Sequence, residues 1–269
     1  MTEPLKLSIL SILAFSQTMR PNQAIPAGSL VFALLGSVGC TAGAALSSYP
    51  RSQIDRPYTM PAGVNSWATR ALGAYARDDF ASSTFVPLPW PLYWGLSLSD
   101  DWTLGLNPVP SSISRQLVRT DDQLLGATLA WAVGFGSQGL LVQPSLVVEH
   151  RQRLSRSWAW TTAASGSVSH WTDQAAWGWN ASLGAGPLWQ VTETFSLQPG
   201  VALSVGRRNL LFSSLPLMPS ARLTVPVDLQ GRLSLTRQWD IDAWFAYDGI
   251  GYENGYRRYT GSLAIVHFW

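Results

Sequence analysis

Residues 221–235 have the sequence ARLTVPVDLQGRLSL, in which leucine or valine alternates with other residues, most of them polar, over most of the stretch. Successive side chains of a β-strand point to opposite faces, so this pattern predicts one apolar and one polar face. Residues 194–206 alternate in the same way. A tilted strand of ~9–11 residues crosses a bilayer, whereas strands of soluble sheets usually have ~5–6 residues. Both stretches therefore predict membrane-crossing strands.

The composition sets broad limits on the class of protein. The chain has 269 residues, of which 46% are hydrophobic and 13% are charged, and it contains 14 tryptophans. Such a composition excludes disorder and requires the tryptophans to lie against apolar surroundings. The formal net charge of +2 comes from scattered residues, so no nucleic-acid partner is predicted. Beyond residue 65 no apolar run is long enough for a spanning helix.

Repeated alternation beyond residue 65 predicts an all-β fold, a closed antiparallel transmembrane β-barrel of twelve strands. Ten strands are the alternative, because the stretches 66–77 and 111–119 alternate poorly. Pro199 and Pro226 lie inside predicted strands, where each removes a backbone donor and suggests a bulge. The predicted strands are 66–77, 90–99, 102–108, 111–119, 123–135, 139–150, 156–167, 175–191, 194–206, 220–235, 239–247 and 258–269.

The first 44 residues have the character of an export signal, and two cleavage interpretations stay open. Ala42-Gly43-Ala44 suits an ordinary signal peptidase, whereas Ser37 to Cys40 is similar to a lipoprotein box and would leave Cys40 lipidated. Residues 45–65 are rich in Ser, Pro and Arg without periodicity and are predicted to form an extended, poorly packed periplasmic leader. The barrel is predicted over residues 66–269.

Aromatic residues mark both predicted ends of the strands. Trp179 and Trp189 share one face of a predicted strand and are ten positions apart, which corresponds to a rise of roughly 23 Å and nearly matches the ~25 Å apolar band of such barrels. Tryptophan filling the core of a soluble β-sandwich is the alternative interpretation. The predicted periplasmic girdle comprises Trp102, Trp158, Trp189, Trp239 and Trp269, and the outer girdle comprises Trp90, Trp177, Trp179, Tyr247 and Tyr259.

The last eleven residues, YTGSLAIVHFW at 259–269, resemble the C-terminal signature of bacterial outer-membrane β-barrel proteins. In that family alternating hydrophobic residues precede a terminal aromatic residue. Here Leu263 and Ile265 belong to the alternation, and Trp269 is the terminal aromatic residue. His267 stands where the family usually has an aromatic residue, and the family's terminal residue is more commonly phenylalanine. The resemblance implies a bacterial outer-membrane location, membrane lipids as partners and recognition of the final strand by the barrel-assembly machinery.

Charged residues fall on the predicted inward face of several strands. They can line a polar conduit, or they can pair with one another and fill a narrow lumen. The sequence accordingly predicts a monomeric narrow channel for small solutes, with a non-conducting structural or binding barrel as the alternative. The predicted lumen-lining residues are Glu149, Arg222, Asp228, Arg232, Asp240 and Asp242.

A second alternative is an outer-membrane lipid acyl hydrolase, because a serine beside a histidine can attack an ester. The candidate group, in a predicted polar loop, is Ser167, Ser169, His170 and Asp173. No cofactor is predicted: the G-x-G-x-x-G of residues 134–139 precedes a strand-like run and suits a hairpin link better than a nucleotide site. His150 and His267 lie on different predicted strands without further ligands at metal-binding spacing.

Overall fold

The computed structural model describes residues 46–77, 84–107, 109–136, 139–171, 177–207, 222–248 and 257–269. Apart from a single helical turn at residues 46–47, the regular structure of these residues is β-sheet. No helix among them is both long and apolar enough to span a bilayer. The strands are β1 Ser66–Arg77, β2 Thr84–Ser99, β3 Trp102–Asn107, β4 Val109–Arg119, β5 Gln123–Gly136, β6 Gly139–Arg153, β7 Trp158–Trp171, β8 Trp177–Gln190, β9 Phe195–Arg207, β10 Arg222–Thr224, β11 Val227–Ser234, β12 Trp239–Asp248 and β13 Arg257–Phe268.

All strands belong to one antiparallel sheet that closes on itself. Strands β1 to β9 pair consecutively, β9 pairs with β10 and β11, and β11 continues through β12 and β13 back to β1. Closure removes every free sheet edge, as a membrane environment requires. The predicted all-β transmembrane-barrel fold is confirmed.

Strands β10 and β11 occupy a single position in the barrel. Thr224 lies opposite Ser204 and Val227 lies opposite Val201, so the register on β9 is the same for both segments. Between them the Ala202 amide donates to the Pro226 carbonyl at 2.9 Å. The thirteen segments therefore make twelve barrel strands, as predicted, and the alternative of ten is wrong.

The bulges predicted at the two prolines are wrong. Pro226 lacks a donor but leaves the register unchanged, and Pro199 lies directly opposite Leu229 in the same register as its neighbours. Register shifts occur instead in β1 to β4, the part of the barrel where the sequence alternates least clearly. They lie between residues 68 and 70, 97 and 99, 105 and 106, and 116 and 118.

At one end of the barrel, which we call the turn end, every link between consecutive strands has only two to four residues. The amides of Thr120, Leu154 and Val191 each close a turn by donating to the carbonyl of a residue three or four positions later. The two backbone hydrogen bonds between Asn65 and Trp269, of 2.9 and 3.0 Å, bring the start of β1 to the same end. The periplasmic location predicted for this end of the strands stays a prediction.

The outer surface is apolar and the inner surface is polar, the reverse of a soluble protein. Leu183, Phe245 and Leu263 are more than half exposed. Side chains on the opposite face include buried serines and threonines, and cross-strand partners share a face throughout the sheet. This distribution fits a barrel whose outer face contacts hydrocarbon.

Two neighbouring residues of β11 test this assignment of faces. Leu229 points outward near the middle of its strand, whereas Gln230 points inward beside Trp244 of β12. We expect Leu229→Arg to lower the free energy of unfolding by ~2–4 kcal/mol, the cost of an arginine at the bilayer midplane. Gln230→Arg should change it by less than half as much. Urea unfolding in lipid vesicles measures both, and equal effects would contradict the assignment.

Candidate functional site

Residues 46–65, here called the inner segment, lie inside the barrel at its turn end. Val64 and Asn65 have no exposed surface, and Arg56 is 3% exposed. The expectation of a poorly packed leader is therefore wrong for these residues. The segment is irregular in sequence because it packs against the barrel wall rather than forming a strand or a helix of its own.

Side chains on β3, β4 and β8 accept hydrogen bonds from the backbone of the inner segment. This arrangement matters because irregular backbone at membrane depth is stable only where other protein groups accept or donate its hydrogen bonds. The amide of Gln53 donates to Gln190 Oε1 at 2.8 Å, that of Tyr58 to Gln116 Oε1 at 3.1 Å and that of Met60 to Thr103 Oγ1 at 3.0 Å.

Arg56 makes the densest set of contacts between the segment and the wall. Its two terminal nitrogens donate to the two carboxylate oxygens of Asp240, which is 1% exposed, and Nη2 also donates to Ser234 Oγ at 3.0 Å. The guanidinium carbon lies 5.1 Å from the centre of the Tyr49 ring and 5.5 Å from that of Phe268. A bidentate ion pair flanked by aromatic rings fixes both the position and the orientation of Arg56.

Two arginines on the wall donate hydrogen bonds to acceptors on the inner segment. Arg151 Nη1 donates to the backbone carbonyls of Gln53 at 2.8 Å and Arg56 at 3.2 Å. Arg232 Nη1 donates to Gln53 Oε1 at 2.6 Å, while its other nitrogens bond Asp242 at 2.5 and 2.6 Å. Cations and carboxylates therefore alternate across the turn end, and the pairs neutralise one another.

Apolar contacts supplement this polar network. Leu46, Tyr49, Met60 and Val64 pack against Phe268, and a smaller cluster joins Ile54 to Ala159 and Leu188. Each buried side chain of this size contributes on the order of 1.5–3 kcal/mol. The inner segment thus has a small core of its own within a polar wall.

Tyr58 reaches furthest along the barrel. Its ring covers Gly126, where any side chain would occupy the same space, and its hydroxyl lies 2.8 Å from Thr128 Oγ1. Burial raises the pKa of Tyr58, so the hydroxyl stays protonated and available as a donor. A glycine on the wall thus provides the recess that accepts the ring.

The predicted lumen residues divide into two groups. Arg232, Asp240 and Asp242 meet the inner segment in the network described above, and Glu149 lies 3.7 Å from Arg151. Asp228 lies further from the turn end and accepts a hydrogen bond from Trp244. The side chain of Arg222 lies outside the described part of the chain. Their role in lining a conduit stays a prediction.

Several predicted girdle residues contact one another on the outer face. The rings of Trp158 and Trp189 stack 5.4 Å apart at the turn end, where Arg115 also lies over Trp102. Trp239 packs against His267, two residues before Trp269. At the other end Tyr247 and Tyr259 are 5.1 Å apart, Trp177 stacks on His170, and Trp179 is exposed. The side chain of Trp90 is not described, and the girdle role of these residues stays a prediction.

The serine and histidine considered for ester hydrolysis do not come together. Ser167 and Ser169 point inward, and Ser169 is buried, whereas His170 points outward and stacks on Trp177 at 4.3 Å. Successive residues of a strand face opposite sides of the wall, which keeps the two groups apart. Asp173 lies outside the described residues.

The remaining predicted features are the glycine motif, two histidines and the export signal. Gly136 pairs with Gly139 at the end of the β5–β6 hairpin, as expected for a hairpin link. His150 and His267 lie on β6 and β13, and the described residues contain no group of three potential metal ligands. The export signal and Cys40 fall outside the described residues.

The recess at Gly126 predicts how the inner segment can be loosened. In Gly126→Val the new side chain overlaps the Tyr58 ring, whereas the Cβ of a residue at 166, on the outer face, meets only one atom, 3.9 Å away. We expect protease cleavage of the inner segment to rise about tenfold in Gly126→Val, as for ~1.4 kcal/mol of lost stabilisation. Gly166→Val is the matched control. Unchanged cleavage in folded Gly126→Val would contradict the packing.

Comparison with known proteins supports the fold. No protein-family model matches the sequence, and no curated protein does either. Among solved structures the chain is similar to the COG4313 outer membrane channel from Pseudomonas putida F1, with 13% identity, a TM-score of 0.54 and coverage of 77% of this chain and 95% of that one. It is also matched to the NanC porin, with 9% identity, a TM-score of 0.48 and coverage of 75% and 99%. The chain is a membrane-spanning β-barrel with the fold of bacterial outer-membrane proteins.

Proposed function

We propose that the protein is an outer-membrane channel for small polar solutes whose turn end is closed by the inner segment. The main observation behind this proposal is that the barrel wall and the material inside its turn end come from different parts of the chain. The wall is polar on its inner face, and the material that occupies the turn end comes from residues 46–65 rather than from the strands themselves. Such a segment can leave without disturbing the barrel.

The wall beyond the inner segment is suited to polar solutes. Short hydroxyl and amide side chains line it and bond to each other, so it is polar without being strongly charged. Gly184 and Gly200 add no side chain of their own to this lining, and the carboxylate of Asp228 lies beside Gly200. The cross-strand hydroxyl and amide pairs are Ser114 with Thr128 at 2.8 Å, Ser165 with Ser182 at 2.7 Å and Asn180 with Ser204 at 2.9 Å.

The contacts that close the turn end are of a kind that water can replace. The hydrogen bonds to Gln53, Tyr58 and Met60 exchange with water at a net cost of only ~0.5–1.5 kcal/mol each. Twelve strands give a lumen between the filled eight-stranded barrel and the open sixteen-stranded porin. An inner segment that fills this intermediate lumen can therefore act as a reversible closure.

The likeness to a protein described as an outer membrane channel agrees with this proposal, although at 13% identity it concerns the fold alone. A second candidate is a barrel that never conducts and serves a structural or binding purpose. The almost complete burial of Arg56 and Asp240 favours it, because a buried pair resists separation once formed. In either case we expect a monomer that membrane lipids surround and that the assembly machinery recognises through β13.

Removing the inner segment separates the two candidates. We expect the intact protein in planar bilayers to conduct rarely, and a variant lacking residues 46–64 to give steady single-channel steps. Leu223→Ala, on the outer face, is the control for general loosening of the barrel. A correctly folded deletion variant that stays silent would support the non-conducting barrel instead.

A further inference from the structure

The wall side of the Arg56 contact is complete without the inner segment. Three adjacent strands contribute to it: Ser234 from β11, Asp240 from β12 and Phe268 from β13. With the inner segment in place, each is less than a tenth exposed, so the occupied site is shielded from bulk water. A carboxylate that accepts two parallel N–H groups, beside an aromatic face, is the arrangement that recognises a guanidinium group.

We propose that these wall groups form a binding site for guanidinium cations, which Arg56 occupies as an internal ligand. A solute that carries a guanidinium group, such as free arginine, competes with Arg56 for Asp240 and thereby releases the inner segment. The release step rests on the proposed channel function. The binding site itself does not, because it is defined by wall residues alone.

The geometry selects a guanidinium over other cations. Both carboxylate oxygens of Asp240 are used by different nitrogens of Arg56, and Nη2 reaches Ser234 Oγ as well. The compact ammonium of a lysine cannot match this fork, and it is more strongly hydrated. A second guanidinium, that of Arg51, donates to the backbone carbonyls of Ser234 at 3.0 Å and Leu235 at 3.1 Å, so the acceptors continue along the wall.

Burial of Asp240 explains why a cation should be needed for release. While the rest of the inner segment stays in place, withdrawal of Arg56 leaves a carboxylate that is 1% exposed without its counter-charge, which is costly. A guanidinium solute that takes its place keeps the charge paired and the hydrogen bonds intact. A ligand shifts such an equilibrium only by its preference for one state, and here the preferred state is the one with Arg56 displaced.

A cavity of about 310 Å³ at the turn end gives a solute room beside Arg56. It lies between the inner segment and the β4–β5 turn. Its charges are mixed and Asp240 does not line it, so the cavity supplies only space on the other side of Arg56, and the selectivity comes from Asp240. Charged residues that line it include Asp55, Arg56, Arg119, Asp121, Asp122 and Arg153.

Binding can be tested directly on the full-length folded protein. Arg56→Ala vacates the site, so we expect methylguanidinium to bind this variant saturably in isothermal titration calorimetry. Binding should fall about tenfold or more when Asp240→Asn is added, and methylammonium should bind about tenfold more weakly than methylguanidinium. Arg115→Ala, which removes the arginine over Trp102 and keeps Arg56 in place, is the matched control and should not bind at these concentrations.

Two results would overturn the site: equal binding of methylammonium and methylguanidinium, or binding that survives Asp240→Asn. Should Arg56→Ala not fold, the variant lacking residues 46–64 exposes the same wall groups and must also bind methylguanidinium. Failure of this deletion variant to bind methylguanidinium would also contradict the proposed site.

Conductance distinguishes the site from the channel. Arginine added on the turn-end side of a bilayer should raise the open fraction of the intact protein, and lysine at the same concentration should not. If the deletion variant conducts but arginine has no effect and methylguanidinium does not bind, the guanidinium site is wrong and the channel stands. If methylguanidinium binds while the deletion variant is silent, the channel is wrong and the site stands.

Discussion

A strand in hydrocarbon can keep its backbone polar groups only if neighbouring strands on both sides satisfy them. The pairing of β13 with β1, which runs from Ser66 opposite Phe268 to Arg77 opposite Arg257, meets this requirement by closing the sheet. Closure also fixes the circumference, because the number of strands and their tilt set the diameter. The width of the lumen is therefore a consequence of the membrane rather than of any choice of inward side chains.

A lumen of that width must be filled, hydrated or lined. Barrels of about eight strands fill it with their own side chains. This protein instead has small inward residues over much of β7 to β9, such as Ala163, Gly184 and Ala202, and its turn end contains a separate piece of chain. Strand pairing therefore holds the wall, whereas side-chain hydrogen bonds, ion pairs and apolar contacts hold the inner segment.

Most of the barrel could be predicted from the sequence, because period-two alternation reports directly on the two faces of a strand. The predicted strand 194–206 and the observed β9 agree within one residue at each end. Agreement is poorest at β2, which begins at Thr84 rather than at residue 90, since the alternation there is broken by prolines such as Pro87 and Pro89. The two prolines expected to cause bulges do not shift the register, because loss of a donor does not by itself require an extra residue.

The candidate site was predicted only in part. The inward charges on β11 and β12 follow from alternation, but their partners on the inner segment do not, since residues 46–65 have no periodicity and their contacts with the wall are distant in sequence. The charges of the predicted lumen residues did indicate that partners were missing. The predicted lumen set has four carboxylates and only two arginines, so it lacks cations. Buried carboxylates need partners, and Arg56 provides the one for Asp240.

The inner segment also explains residues on the wall that a simple polar lining would not require. Gln116 and Gln190 are both 7% exposed, and each accepts a hydrogen bond from a backbone amide of the segment. The Oε1 of each glutamine would lose this donor if the segment were absent, although Gln190 would keep the hydrogen bonds from its Nε2 to the carbonyls of Thr192 and Phe195. The wall at the turn end is therefore specified for this occupant by acceptors such as these glutamines and Asp240, and by the donors Arg151 and Arg232. Because acceptors recognise any suitable donor, the features that position the inner segment also allow another donor to replace it.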